Sequence, residues 1–255
     1  MDTYPHADAP VPPGGAAHLP SRSERRRRER ASARATGPWS WVRETALVLV
    51  IALVISSLLR ALVVQVFWIP SESMENTLEV GDRIAVSRIS ARTGDIHRGD
   101  VVVFNDSLGW LSSTPDTGVT GVLRRIGEFT GFVPANGEQT LVKRVIGVGG
   151  DHVTCCTAAG RIAVNGVALD ETYVADGQAP SSIPFDVTVP AGSLWVMGDN
   201  RGNSADSRFH MGQGQTPFVR EADVVGRAMW VIWPVSRWGS LGGGRAVFDD
   251  VPDAR

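Results

Sequence analysis

The stretch TLVKRVIGV at residues 140–148 is rich in Val and Ile and is followed by two glycines, a pattern typical of a β-strand. Because side chains alternate along a strand, Leu141, Lys143 and Val145 share one face. A lysine among apolar neighbours loses solvation of its ammonium form, which lowers its pKa. Lys143 is also the only lysine of the 255 residues, beside 24 arginines. A single lysine must lie somewhere by chance, but arginine cannot replace a lysine that has to lose its proton. Lys143 is therefore a candidate general base.

Short apolar runs of the same kind recur between residues 67 and 240, separated by Gly, Asp and Pro. They contain mostly Val, Ile and Trp, and Asn165–Gly166 is a typical two-residue hairpin turn. No alternation of strands with helices is apparent, so we predict a mainly β fold built of antiparallel sheet. The predicted strands are RIAVSRI (83–89), DVVVFN (100–105), HVTCC (152–156), RIAVNG (161–166), DVTVP (186–190), SLWVMG (193–198) and VGRAMWVIW (225–233).

Two segments depart from this strand pattern. Residues 106–139 form an insertion or linker in which apolar residues follow helical spacing: Val119, Val122, Leu123, Ile126 and Phe129. This spacing predicts a short helix that packs on the sheet, and a helix in contact with a membrane is the alternative. The glycine-rich residues 241–255 are predicted to be a flexible C-terminal tail.

A long apolar segment precedes the β domain. Residues 45–59 carry no charge, and the apolar character continues beyond Arg60, which lies close enough to the end to reach the headgroups. We place one transmembrane anchor at residues 42–66, flanked by an aromatic belt of Trp39, Trp41, Phe67 and Trp68. The segment is too long and begins too late for a cleaved signal peptide, and no small-residue cleavage site follows it.

The N-terminal residues 1–38 are rich in Pro, Ala, Gly and Ser and carry an arginine cluster at 22–34. We predict a disordered tail that stays in the cytoplasm by the positive-inside rule. The protein would then be a single-pass protein of the cytoplasmic membrane with residues 67–240 as an extracytoplasmic domain. Cys155 and Cys156 would face an oxidising compartment, either as a vicinal disulfide or as two thiols.

Composition excludes several function classes. Residues 1–43 contain eight arginines and four acidic residues, whereas the remainder has 17 basic and 23 acidic residues, so the folded part is not a basic nucleic-acid-binding surface. Two adjacent cysteines cannot form a disulfide scaffold or a four-cysteine zinc site. No metal-binding histidine spacing occurs, and we expect neither a metal nor another cofactor.

Three polar clusters lie between the predicted strands, where loops commonly hold reactive groups. They are IPSESMENTLEVGDRI at 69–84, LVKRVIGVGGD at 141–151 and GDNRGNSADSR at 198–208. A serine hydroxyl needs a base to become a nucleophile, and a lysine with a lowered pKa can serve. The alternative base is histidine: His97, His152 and His210 are the candidates, and His210 is nearest the third cluster.

The three clusters, in this order behind a membrane anchor, resemble the motifs of bacterial type I signal peptidases, over residues 45–240. The resemblance implies a membrane-bound serine endopeptidase with a Ser–Lys dyad. Such an enzyme removes signal peptides from exported preproteins after small residues of the A-x-A type. It implies no cofactor, and its partners would be signal peptides and the lipid bilayer, with no nucleic acid.

Residue roles follow from the matching motif positions. Ser73 matches the nucleophile and Lys143 the general base, while the hydroxyl of Ser71 and the backbone N–H of Ser73 match the oxyanion hole. Ser204 matches a serine that orients the lysine. Asp199, Asp206 and Arg208 match supporting polar residues, and they also fit an ion-pair network without direct chemistry.

Substrate pockets for small side chains are implied at seven apolar positions, where ordinary core packing is the competing interpretation. These positions are Phe67, Ile69, Pro70, Met74, Leu78, Leu141 and Val142. Three residues depart from the family pattern: Asn76 replaces Pro, Gly202 replaces a common Asp, and Leu141 replaces a frequent Tyr. The alternatives to a signal peptidase are a self-cleaving Ser–Lys regulator and a non-catalytic membrane-anchored binding module.

Overall fold

A computed structural model of the chain describes residues 21–24, 26–27, 38–111, 140–175, 177–212 and 214–253. The chain divides into two compact units, Met1–Leu53 and Val54–Arg255. Most of the predicted disordered tail and most of the insertion, including its helical stripe, lie outside the described residues. Within the tail, residues 22–24 and 26–27 have a helical backbone.

The apolar segment forms helix α1, Pro38–Leu62, and its stretch Trp39–Ser57 has a mean hydropathy of 1.6 with no part buried. The helix is long and apolar enough to cross a membrane. It ends before the predicted boundary at residue 66, because Val64–Trp68 form strand β1. In that strand Val64 pairs with Ser87 and Val66 with Ala85. Cross-strand pairing of β-branched residues therefore ends the helix early.

The Val54–Arg255 unit contains two antiparallel sheets, which confirms the predicted fold class. The larger sheet has the order β1-β2-β11-β3-β4-β9-β10, with β12 paired to β11, and the smaller has the order β7-β6-β5-β8. The strands after β1 are β2 (Arg83–Ser87), β3 (Val101–Asn105), β4 (Thr140–Val148), β5 (His152–Cys155), β6 (Ile162–Val164), β7 (Val167–Ala168), β8 (Phe185–Thr188), β9 (Ser193–Met197), β10 (Val219–Arg220), β11 (Val224–Trp233) and β12 (Gly239–Ser240).

Short helices connect these strands. Helices α2 and α3 span Arg88–Thr93 and Ser207–His210, and 3-10 turns occur at Glu72–Met74, Glu221–Asp223, Val235–Arg237 and Gly242–Phe248. The predicted strand 83–89 thus ends two residues early, where α2 begins. Cys155 and Cys156 are joined by a disulfide at the end of β5.

Strand β4 lies inside the larger sheet and pairs with β3 on one side and β9 on the other. Its register places Lys143 opposite Val102, and Arg144 between Val101 and Met197. Both faces of the strand are covered by buried apolar clusters, so the two adjacent cationic side chains are buried on opposite faces. This strand fixes the position of the candidate base.

The C-terminal segment is folded, in contrast to the predicted flexible tail. It continues from β12 into the 3-10 helix Gly242–Phe248. Leu241 packs into the cluster that contains Phe67 and Ile69, whereas Phe248 and Val251 pack into the cluster beneath the smaller sheet. The glycines suggested flexibility, but the three apolar side chains supply buried surface that holds the segment in place.

Candidate active site

Ser73 and Lys143 meet although 70 residues separate them in sequence. Ser73 lies in the 3-10 turn Glu72–Met74, which is held by the fully buried side chain of Met74 and by the backbone bond from Leu78 N–H to the Met74 carbonyl. Lys143 reaches this turn from β4, and its Nζ lies 2.6 Å from Ser73 Oγ. A sheet strand and a packed turn therefore hold the candidate nucleophile and the candidate base within proton-transfer distance.

The Lys143 side chain is 3% exposed. Burial lowers its pKa from 10.5 to about 8, although Asp206 and Asp199 raise the pKa and Arg208 lowers it. Its other hydrogen bond is donated to the Val142 carbonyl, at 3.0 Å. None of the described carboxylates forms an ion pair with Lys143. The amine thus remains available to the serine at mildly alkaline pH.

Ser71 lies beside the dyad on the approach to the turn. Its Oγ is 3.4 Å from Ser73 Oγ, and its side chain is exposed to solvent. The carbonyl of Ser73 accepts a hydrogen bond from the backbone N–H of Asn200, at 3.2 Å, which ties the turn to the third polar cluster. The arrangement places one hydroxyl donor near the reacting oxygen.

The third cluster supports the dyad through a compact polar core. Asp206 accepts from the Gly198 N–H at 2.9 Å and from Arg208 through both carboxylate oxygens. Although burial raises the pKa of Asp206, the hydrogen bond and charge of Arg208 bring it below its usual value. A Cβ at Gly198 would collide with the Ser73 carbonyl and with Ser204 Oγ, so this loop approaches the nucleophile closely.

Ser204 has a buried hydroxyl beside Asp206, and its interaction with that carboxyl contributes to the lowered pKa of Asp206. Among the described residues no hydrogen bond joins the Ser204 hydroxyl to Lys143. Its role as the residue that orients the lysine stays a prediction.

Arg144 occupies the face of β4 opposite Lys143 and is 2% exposed. Its guanidinium binds both oxygens of Asp199, at 2.8 and 2.6 Å, and donates to Thr77 Oγ1 at 3.2 Å. Thr77 in turn donates to Asp199 at 2.5 Å. Thr77 follows the Glu72–Met74 turn, and Asp199 lies near the start of the third cluster. The Arg144–Asp199 ion pair therefore connects both of these segments to β4.

A cavity of about 110 Å³ adjoins the dyad. Six of the seven predicted pocket residues line it, and Leu78 instead lies fully buried in the core beneath. Trp68, Leu111 and Thr140 also line the cavity and were not predicted. The lining residues from the prediction are Phe67, Ile69, Pro70, Met74, Leu141 and Val142.

The histidines lie apart from the dyad. His97 contacts Asp95 and His152 contacts Asp186, while His210 stacks on Trp110 and has Nδ1 2.7 Å from Gln215. No imidazole hydrogen-bonds Ser73 in the described ranges, so the structure gives no support to a Ser-His-Asp triad. The same ranges contain no group of three or more potential metal ligands.

Comparison with known proteins identifies the family of this chain. The profile of the family "Signal peptidase, peptidase S26" matches residues 42–233. The chain belongs to this family. "Signal peptidase I" of Mycobacterium tuberculosis is 41% identical over 223 residues, covering 78% of this chain and 75% of the relative. "Probable signal peptidase I" of Mycobacterium leprae is 38% identical over 229 residues, covering 78% of each chain.

A crystal structure of a signal peptidase I from Enterococcus faecalis is 26% identical and covers 52% of this chain and 95% of its own, with a TM-score of 0.33. The family assignment rests on the profile and the two mycobacterial relatives. It makes the chain a peptidase, in agreement with the sequence prediction.

The departures from the motifs of signal peptidases have structural counterparts. Asn76 has a backbone φ of +83° and donates from its side chain to the Tyr173 carbonyl at 2.9 Å. Proline cannot adopt this φ, so the loop has its own geometry here. Gly202 is exposed, and a Cβ there would meet no atom within 4 Å. Leu141 lines the cavity, where a larger Tyr would take up more of the space.

Sequence reasoning missed three members of this peptidase's site. Arg144, Thr77 and Gly198 all stand within the three motifs, but the sequence gives none of them a role of its own. Alternation along β4 signals that Arg144 points away from the base, but its pairing with Asp199 across 55 residues has no local signal.

Proposed function

We propose that this chain is a membrane-bound serine endopeptidase that removes signal peptides from exported preproteins, with Ser73 as nucleophile and Lys143 as general base. One observation carries the assignment of roles. In a chain of the signal peptidase family, its only lysine is buried with Nζ 2.6 Å from the hydroxyl of a serine. The mycobacterial relatives named signal peptidase I support the substrate class.

The chemistry follows from this geometry. Neutral Lys143 accepts the Ser73 proton as Oγ attacks the scissile carbonyl and forms a tetrahedral intermediate. The oxyanion accepts hydrogen bonds from the Ser73 N–H and the Ser71 hydroxyl. Loss of one such donor costs roughly 100- to 1,000-fold in kcat in other serine proteases. Protonated Lys143 then donates its proton to the leaving amine of the substrate. The neutral Lys143 side chain next accepts a proton from water, which hydrolyses the acyl-enzyme.

The supporting polar residues stabilise the protonated intermediate. The negative charges of Asp206 and Asp199 favour the ammonium form of Lys143, as the direction of their effect on its pKa indicates. Arg208 pairs with Asp206 and lowers the pKa of Lys143, which favours the free base. We assign both aspartates and Arg208 to this electrostatic role rather than to direct contact with substrate.

An apolar cavity beside the dyad can receive a substrate side chain. Its volume is about 110 Å³, and buried apolar side chains line it, including Ile69, Met74 and Leu141. The resemblance to signal peptidases, rather than the size of this cavity, is the basis for proposing substrates with small residues at the two positions of an A-x-A signal.

The bilayer is the second proposed partner. Helix α1 has 25 residues, roughly 37 Å of helix, which is enough to span the hydrocarbon core. The arginine cluster at 22–34 favours a cytoplasmic N-terminus, which places the peptidase unit outside the cytoplasm. Within that unit, four tryptophans are 39–66% exposed, which suits the polar–apolar boundary of a membrane: Trp68, Trp230, Trp233 and Trp238.

The test is a cleavage assay with the full chain in detergent micelles and a preprotein whose leader ends in A-x-A. Wild type, Ser73→Ala and Lys143→Arg are compared, and product N-termini are read by mass spectrometry. We expect cleavage after the small residue by wild type only. Lys143→Arg loses about 1,000-fold or more because the guanidinium does not deprotonate.

The pH profile checks the base separately. Since Lys143 must be neutral, kcat/KM should fall about tenfold per pH unit below the pKa of about 8. A flat acid limb, or full activity of a folded Lys143→Arg, contradicts Lys143 as the base. If wild type leaves the preprotein intact and resists serine-acylating β-lactam-type probes, a non-catalytic binding module replaces the proposal. Cleavage of the enzyme itself on incubation alone would indicate a self-cleaving regulator.

A further inference from the structure

The C-terminal residues 239–253, here called the strap, lie outside the region 42–233 that the family profile matches. The strap comprises β12, the 3-10 helix Gly242–Phe248 and the turn and C-terminal residues that follow. Its buried side chains enter two different apolar clusters, one below the cavity and one below the smaller sheet. The strap therefore joins two parts of the peptidase core.

Charged and polar groups hold the strap in place. Arg245 binds both oxygens of the buried Asp100, at 2.6 and 2.7 Å. Near the end, Arg98 donates to the carbonyls of Val251 and Pro252, and Asn165 also donates to the Pro252 carbonyl. Pairing of β12 with β11 fixes the start of the strap, the Arg245–Asp100 ion pair its middle, and the bonds to Val251 and Pro252 its end.

The middle of the strap covers the Arg144 guanidinium. A Cβ at Gly244 would collide with Arg144 Nη1 and lie 2.6 Å from the Gly99 carbonyl oxygen. Arg144 Nη1 donates to that same carbonyl at 2.7 Å. Gly99 has a φ of +85°, and a Cβ there would collide with the Gly244 backbone. Two glycines therefore allow strap, loop and guanidinium to pack together where no larger residue fits.

Arg144 transmits this contact to the active site. Its guanidinium holds Asp199 at the start of the 198–208 loop and Thr77 behind the nucleophile turn. The same residue is the direct chain neighbour of Lys143. A displaced guanidinium would move both loops relative to the base, and a misplacement of about 1 Å can cost roughly 100-fold in rate.

We propose that the strap is a positioning element for the Ser73–Lys143 dyad and that Gly244 is its positioning residue, because it seats the Arg144 guanidinium against Asp199 and Thr77. The inference rests on the proposed peptidase function. Gly244 touches neither substrate nor dyad, so its effect on catalysis passes through Arg144.

The adjacent glycine supplies a matched control. A Cβ at Gly243 meets no atom within 4 Å, and its φ is not in the left-handed region. Gly243→Ala and Gly244→Ala therefore make the same chemical change one residue apart in the same helix. Full-length variants are compared in the preprotein cleavage assay, with circular dichroism and thermal unfolding as checks of folding.

We expect Gly244→Ala to lower kcat at least about tenfold, with KM within about twofold, while Gly243→Ala matches wild type. The pH at which activity falls on the acid side is a second measurement, because a general loss of stability would not shift it. The charged groups that act on Lys143 are Asp206, Asp199 and Arg208. Weaker pairing of Asp199 with Arg144 leaves more negative charge near the amine, so the acid limb should shift to higher pH.

A second pair of variants covers the case in which Gly244→Ala fails to fold. Arg245→Gln removes the ion pair with Asp100 without adding atoms, and Arg245→Lys retains the charge. We expect Arg245→Gln to reduce kcat in the same direction and Arg245→Lys to restore part of it. The proposal is overturned if folded Gly244→Ala equals Gly243→Ala, or if Arg245→Gln leaves kcat unchanged. A wild type that does not cleave overturns the peptidase function itself, whatever the variants do.

Discussion

Strand β4 carries two neighbouring buried basic side chains, Lys143 and Arg144, that differ in their partners. Lys143 is 3% exposed and its amine hydrogen-bonds a serine and a carbonyl. Arg144 is 2% exposed and its guanidinium binds a carboxylate, a hydroxyl, a backbone carbonyl and the face of the Tyr173 ring. Among the described residues Lys143 has no direct counter-ion, whereas Arg144 has Asp199 together with three further partners.

The difference shows how one strand can hold a reactive side chain and a stabilising side chain next to each other. A buried cation without a counter-ion is costly, and it relieves that cost by losing its proton, which makes it a base. A buried cation with a bidentate carboxylate stays charged and fixes the groups around it. Substituting the same residue at each position should therefore change stability in opposite directions.

The largest expected effect is on the Arg144 side. Arg144→Met leaves the Asp199 carboxylate buried without its partner, and such changes cost about 3–5 kcal/mol of unfolding free energy. Urea unfolding of the full chain in micelles, followed by tryptophan fluorescence, measures it. The added change Asp199→Asn should recover part of the loss because it removes the orphaned charge. A loss below about 1 kcal/mol for Arg144→Met would contradict the stabilising role of the Arg144–Asp199 ion pair.

On the Lys143 side, Lys143→Met should raise the unfolding free energy at pH 7. Lowering the pKa from 10.5 to about 8 corresponds to roughly 3 kcal/mol, which is the upper limit of the gain. Below pH 8 the wild type loses the full amount of unfolding free energy that burial of the Lys143 ammonium costs, because the unfolded state binds the proton more tightly. The penalty fades as pH rises from 8 to 10.5. Unfolding at pH 7 and pH 10 tests both parts, and a gain that is independent of pH contradicts the buried amine as its cause.

A smaller effect is expected where Asn76 supports the Arg144 side through Tyr173. Asn76→Pro cannot keep the φ of +83° and loses the bond to the Tyr173 carbonyl, so we expect a loss of about 1–3 kcal/mol. Asn76→Gly is the control, since glycine accepts this φ and loses only the hydrogen bond. Equal unfolding free energies for Asn76→Pro and wild type would show that the family's usual proline fits this loop.

Much of the site could be predicted because its signals are local. The single lysine on an apolar strand indicates a base, and the resemblance of the three motifs to signal peptidases implies that Ser71, Ser73 and the third cluster belong to one site. Antiparallel β structure followed from short Val- and Ile-rich runs. These features depend on residue types and spacing, which a sequence displays directly.

The missed features depend on contacts between distant segments. The anchor was extended to residue 66 because Val64 and Val66 are apolar, whereas pairing with β2 makes them a strand. The stretch GGGRAVF predicts a flexible tail over residues 241–255, whereas in the structure Gly244 permits close approach of the strap to Arg144 and Gly99. Arg144 itself has a role only after Asp199 and Gly244 have been brought to it by folding.

Lys143 is the only lysine of the sequence and is buried, so reagents and proteases that act on lysine have a single, protected target. No other residue of the 255 carries a side-chain amine, so only the N-terminus competes for an amine-directed reagent. A protease that cuts after lysine has one site in the whole protein, and that bond lies inside a paired central strand. Cleavage into residues 1–143 and 144–255 therefore requires the sheet to open. Cleavage after Lys143, the proposed base, therefore reports opening of the central strand.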